Sequence, residues 1–225
     1  MLQETARLFA YHGLLNFLKE NCVPSGEYIL PSGKRANIHV DLYPLLQDHY
    51  AHRVLDEYAA AIMLDRWGGD FDVFAGVECC YSDFGFADVA HCVFSVLIGA
   101  GNSMSFLTSS ASQRVSFVIE DLIHTEHGLD SRIYTWRRWF DGTDGSSCRD
   151  SGKHDGRVVK GKKVILFADV TDSGESLLAA ILAIRKLNGA VERAYVVVDK
   201  GNGAINLLRE NGVHLIPLFE LEDLL

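Results

Sequence analysis

From Lys163 to Phe219 the chain alternates apolar runs with helix-forming stretches, and few folds accept that order. Lys163-Val-Ile-Leu-Phe-Ala168 is one continuous apolar run, and Asp169 to Glu175 reads as a turn. Ser176 to Leu187 has helical spacing and stops at Asn188-Gly189. Arg193-Ala-Tyr-Val-Val-Val198 is a second run, 203–210 a short helix stopped by Asn211-Gly212, and Val213 to Phe219 a third run. Runs without polar alternation are strands covered on both faces, and helices between them make right-handed crossovers. The fold class is therefore α/β with a parallel sheet. In such sheets ligands sit outside the carboxyl ends of the strands.

The remaining chain reads less sharply. Residues 2–22 have the spacing of an amphipathic helix, ended by Pro24-Ser-Gly26. Residues 27–42 read as a hairpin around Pro31-Ser-Gly33, and 50–67 as a second helix closed by Gly68-Gly69. Asp72-Val-Phe-Ala-Gly76 is a short strand, 83–98 a helix, and Ser103–Leu107 and Val115–Ile119 are two further strands. Residues 120–156 read as irregular. At 225 residues the chain is expected to form one domain, 1–225. Within it, 1–45 forms a small hood and 50–225 the core.

Composition narrows the function. No run of about 18 apolar residues predicts a membrane span. Met1 to Leu18 lacks the basic start and apolar block of a secretory signal. Against 21 Lys and Arg stand 30 Asp and Glu, which disfavours general binding to nucleic acid or anionic membranes. The charge is uneven, because Arg132 to Lys163 holds nine basic and four acidic residues, a net of +5. Such an island suits a small anionic ligand or a solvated loop. Five cysteines without a CxxC pair indicate neither a disulfide framework nor a zinc site, and point to buried thiols in a reducing cytosol. His124, Glu126 and His127 lack a third ligand at metal spacing. Arg132, Arg137 and Arg138, interleaved with Trp136 and Trp139, could hold a single strand, but serve equally as packing anchors.

The segment richest in chemistry is Val164-Ile-Leu-Phe-Ala-Asp169-Val-Thr171-Asp172-Ser173-Gly174-Glu175-Ser176. A buried strand runs into acids, and a hydroxyl-and-glycine turn opens a helix. That arrangement aims backbone N–H groups and a helix N-terminus at one spot, the geometry of a phosphate site. An ordinary βα turn with a capping Asp or Ser shares some of these residues. Two carboxylates repel a phosphate, so Asp169 and Asp172 would face ribose hydroxyls, a metal or a reacting base.

This segment resembles the phosphoribosyl-diphosphate loop of type I phosphoribosyltransferases: an apolar run, two acids, a Thr/Asp-Thr/Ser-Gly turn and a final Ser or Thr. Ala168 stands at the first acidic position. Gly26-Glu-Tyr-Ile-Leu-Pro-Ser-Gly33-Lys-Arg-Ala-Asn-Ile-His-Val-Asp41 is similar to the base-pocket segment of the orotate phosphoribosyltransferase branch. Asn211 to Leu225 resembles its C-terminal tail, 72–78 its strand before the pyrophosphate loop, and 149–156 its mobile loop. Pro31, Ala36, His39 and Asp150 depart from that branch, and 78–83 lacks its glycines. The likeness spans roughly 1–90 and 149–225.

The resemblance implies a type I phosphoribosyltransferase fold with an N-terminal hood. It implies transfer of a phosphoribosyl group from 5-phosphoribosyl 1-diphosphate to a nucleobase, orotate favoured, with Mg²⁺. Thr171, Asp172, Ser173, Gly174, Glu175 and Ser176 would cradle the 5-phosphate, mostly through backbone N–H groups. Asp169 would hold ribose hydroxyls and meet the metal only through water, and Glu78 would lie beside the pyrophosphate. Arg149, Lys153 and His154 would close over the pyrophosphate, His154 as proton donor. Ser32, Gly33, Lys34 and Arg35 would flank the base. A cytoplasmic homodimer is the family expectation. Two alternatives stay open. Asp172 matches an aspartate of purine enzymes that handles a ring proton, and a donor-binding module without turnover would also carry the turn.

Overall fold

The structure is a computed structural model and describes residues 2–29, 35–67, 71–78, 105–110, 116–125, 128–136 and 159–225. The N-terminal part is helical apart from one hairpin. Helix α1 spans Leu2–Asn21, α2 Tyr43–Gln47 and α3 His49–Trp67. Strands β1 (Ser25–Ile29) and β2 (Arg35–Ile38) pair antiparallel.

The large sheet is built from β3 (Val73–Glu78), β4 (Ser105–Ser110), β5 (Ser116–Thr125), β6 (Gly128–Trp136), β7 (Lys163–Thr171), β8 (Ala190–Asp199) and β9 (His214–Glu220). Its order is β6-β5-β4-β3-β7-β8-β9. Strands β4, β3, β7, β8 and β9 run parallel, while β5 and β6 are antiparallel. Helix α4 (Glu175–Lys186) links β7 to β8, and α5 (Ala204–Glu210) links β8 to β9. A short α6 (Leu221–Leu224) follows, held by a reciprocal cap between Glu220 and Asp223.

Period-two alternation along the strands sorts the core into two layers. On one face Ile165 and Phe167 of β7 join Phe74, Tyr195, and the α1 and α3 residues Leu14, Leu18, Leu55 and Met63. On the other, Val164, Leu166 and Ala168 join Leu177, Ile181 and Ile184 of α4 and Leu208 of α5. Ala168 is wholly buried in that second layer. An acid there would be buried among apolar side chains, so the departure from the family pattern matches its packing.

Two expectations change. Strand β7 continues three residues beyond Ala168, because Val170 and Thr171 keep pairing with Val198 and Asp199 of β8. The stretch expected to be irregular from residue 120 instead carries most of an antiparallel hairpin, β5 and β6, with a register shift between Glu120 and Ile123. That shift falls where Glu120-Asp121 interrupts the apolar run. The expected helix at 83–98 lies outside the described residues. So do the pyrophosphate loop beyond Glu78 and residues 137–158.

One buried acid lies far along the chain from the phosphate-loop motif. Asp56 of α3 is 7% exposed, and its Oδ1 lies 3.6 Å from His52 Nε2. Burial, with Glu57 adding to it, pushes its carboxyl up to about 8. The carboxyl therefore holds its proton more tightly folded than unfolded. Its stabilising contribution is full below the ordinary carboxylate range and is lost as pH rises toward 8. Asp56→Asn keeps the shape without the charge. It is expected to exceed wild type in urea stability at pH 8.5 by on the order of 2 kcal/mol, the gap shrinking toward pH 5. Parallel stability curves for the two proteins would contradict this.

Candidate functional site

Three parallel strands end together. Thr171 of β7 lies in register with Asp199 of β8, and Asp199 with Glu220 of β9. Glu78 ends β3 at the same edge, one residue past the pairing of Val77 with Ala168. This is the carboxyl edge, where ligands bind in open α/β sheets.

Two glycine turns leave this edge and open two helices. The chain passes from Thr171 through Asp172 and Ser173 to Gly174, which caps α4 at φ +83°. From Asp199 it passes through Lys200, Gly201 and Asn202 to Gly203, which caps α5 at φ +105°. Neither cap residue makes a side-chain hydrogen bond to its helix start, and a helix N-terminus left so can take an anion. Leu178 N–H closes the first helical turn on the Gly174 carbonyl at 2.9 Å. The turns also touch. A Cβ on Gly174 would meet Ala204 Cα at 2.9 Å and Ala204 Cβ at 3.1 Å. Only glycine allows both the backbone angle and the approach.

The polar residues are arranged around these turns. Asp169 is buried near the end of β7, and its Oδ1 accepts the Val170 N–H at 2.6 Å. Thr171 is equally buried, and its carbonyl accepts the Lys200 N–H at 2.9 Å. Asp199 is 3% exposed, and its Oδ1 accepts the Gly201 N–H at 3.0 Å. Burial raises the Asp199 carboxyl above its ordinary range, opposed by the Gly201 bond and reinforced by Asp172. Asp172 accepts a hydrogen bond from Asn202 Nδ2. Its other oxygen lies 3.8 Å from Lys200 Nζ.

The structure thus brings Asp169, Thr171, Asp172, Ser173, Gly174, Glu175 and Ser176 to one edge, with the Glu78 backbone nearby. Arg35 begins β2, where its backbone pairs with Ile29. Ser32, Gly33, Lys34, Arg149, Lys153 and His154 lie outside the described residues. Sequence reasoning missed Asp199, Lys200 and Asn202. Their signal was present: Asp199-Lys-Gly-Asn-Gly203 repeats the plan of an acid at a strand end followed by a glycine turn and a helix. Among the described residues no group of three His, Cys, Asp or Glu is placed to hold a metal ion. Also among them, no helix is long and apolar enough to cross a membrane.

No family model matches the chain. Curated relatives do. The orotate phosphoribosyltransferase of Methanopyrus kandleri is 30% identical over 208 residues, covering 92% of this chain and 87% of that protein. That of Methanocaldococcus jannaschii is 28% identical over 212 residues, covering 94% of each. Among solved structures, the orotate phosphoribosyltransferase of Mycobacterium tuberculosis in complex with 5-phospho-α-D-ribosyl 1-diphosphate superposes with a TM-score of 0.59. It is 19% identical and covers 96% of this chain and 98% of that one.

Proposed function

We propose a function on one premise: the chain belongs to the orotate phosphoribosyltransferase family. It transfers the phosphoribosyl group of 5-phosphoribosyl 1-diphosphate to orotate, giving orotidine 5'-phosphate and pyrophosphate, a step of pyrimidine nucleotide synthesis. The observation that carries this reading is the likeness over nearly the whole length to curated orotate enzymes. The paired glycine turns at the carboxyl edge supply a place for the chemistry.

The residues divide the work as follows. The N–H groups from Ser173 to Ser176 hold the 5-phosphate at the start of α4, where the helix dipole favours an anion. Asp169, buried at the end of β7, accepts hydrogen bonds from the ribose hydroxyls. This orients the anomeric carbon between base and leaving group, and positioning supplies much of the acceleration. The breaking glycosidic bond leaves an oxocarbenium-like ribose, which a carboxylate beside the ring stabilises. Arg149 and Lys153 neutralise the departing pyrophosphate, and His154 gives it a proton. Ser32, Gly33, Lys34 and Arg35 flank the base, with Lys34 or Arg35 pairing with its carboxylate.

Mg²⁺ would enter with the donor, whose own oxygens would supply most of its ligands and whose diphosphate charge it would offset, and Asp169 would meet it only through water. A cytoplasmic homodimer that lends the 149–156 loop between subunits completes the proposal.

The test is a base panel with the donor and Mg²⁺. Orotate should drive pyrophosphate release, while hypoxanthine, guanine and adenine stay at background. Turnover with a purine alone would replace the orotate reading. Donor binding without turnover on any base would favour a binding module.

A further inference from the structure

The loop after β8 is tied to the phosphate turn by three separate contacts. Lys200 N–H donates to the Thr171 carbonyl at 2.9 Å. Asn202 Nδ2 donates to Asp172 Oδ1. Gly174 lies so close to Ala204 that no side chain fits between them. The Lys200 side chain is only 10% exposed, and its ammonium lies 3.8 Å from the second Asp172 oxygen. Both oxygens of Asp172 therefore face the neighbouring loop.

We propose that Lys200 and Asn202 form a latch on Asp172 that holds the turn at 171–174 in its ligand-ready shape before the donor arrives. Asp172 is then a positioning residue. It carries no proton to or from a base, because its carboxylate is engaged by an amide donor and a cation. An ordered turn loses less freedom when the phosphate binds, so the latch strengthens donor binding while leaving the chemical step alone. Asp172 is 43% exposed, so the ion pair adds little by itself. The hydrogen bond to a carboxylate is the larger element. The effect on donor affinity rests on the proposed phosphoribosyl transfer, whereas the latch itself does not.

Asn202 is exposed, and its replacement should leave the fold intact. In Asn202→Ala, amide hydrogen exchange over 171–178 in the ligand-free protein should rise about fivefold. The donor KM should rise by about the same factor, with kcat within about twofold and an unchanged pH profile. Asp172→Ala also removes the Lys200 pair and should have an effect at least as large, and the double variant should be no worse than Asp172→Ala, since Asn202 then has no partner left to lose there. Asp172→Asn retains an oxygen for the Asn202 amide and should recover most of the donor KM. A collapse of kcat in Asp172→Asn, with loss of one limb of the pH profile, would make Asp172 a proton-transfer group and overturn the proposal. Unchanged exchange in Asn202→Ala would overturn it too. If the wild type neither binds nor turns over the donor, the assigned function fails, and the exchange measurement still decides the latch.

Discussion

Gly174→Val should lower kcat/KM for the phosphoribosyl donor by roughly a thousandfold, and Gly174→Ala by roughly a hundredfold. Two costs combine. The residue sits at φ +83°, where an L side chain costs about 1–2 kcal/mol. Its Cβ would also meet the Ala204 Cα at 2.9 Å, and that neighbour is backbone. A flexible side chain could swing aside, but a helix start cannot. The turn and the start of α5 must therefore separate. An error of about 1 Å in a positioning group can cost a hundredfold in rate. Stability should fall by about 2–3 kcal/mol, read from urea midpoints.

Gly212→Ala separates the two costs. Gly212 has φ +71°, and a Cβ there would meet nothing within 4 Å, so only the backbone penalty applies. That variant should lose about 1 kcal/mol of stability with the donor KM unaltered. Equal effects on KM at the two glycines would contradict a phosphate site at the first.

Asp169→Asn should cut kcat/KM by roughly a hundredfold or more, with a smaller change in stability. The asparagine oxygen can still accept the Val170 N–H, now at 2.6 Å from the carboxylate, so the strand end survives. The negative charge that would stabilise a cationic ribose does not. Because that charge matters most in the transition state, the loss should fall on kcat more than on the donor KM. Single-turnover kinetics would separate the two. A kcat within about threefold of wild type would remove Asp169 from the chemistry.

The strand–helix alternation from Lys163 to Phe219 was legible because parallel strands buried on both faces must be continuously apolar. The acid-rich turn after β7 was legible for the same reason, as it interrupts such a run. The ends were less so. Strand β7 continues to Thr171 because β8 offers it partners, and a partner strand leaves no mark in the local sequence. The hairpin of β5 and β6 was hidden by its charged residues, which break the apolar pattern at Glu120-Asp121. Asp199, Lys200 and Asn202 carried the same signature as the first turn. Their meaning depends on the Thr171–Asp199 register and the approach of Gly174 to Ala204, which only the folded chain supplies. Ala168 looked like a lost acid, and the packing beneath α4 accounts for it.

The most direct test is a titration of the ¹⁵N-labelled protein with ribose 5-phosphate, following backbone amides. The amides of Ser173, Gly174, Glu175 and Ser176 should shift together, with one saturation curve, and Gly174→Val should abolish the shifts. Saturable shifts elsewhere in the protein, with these four amides unmoved, would contradict a phosphate site at the start of α4.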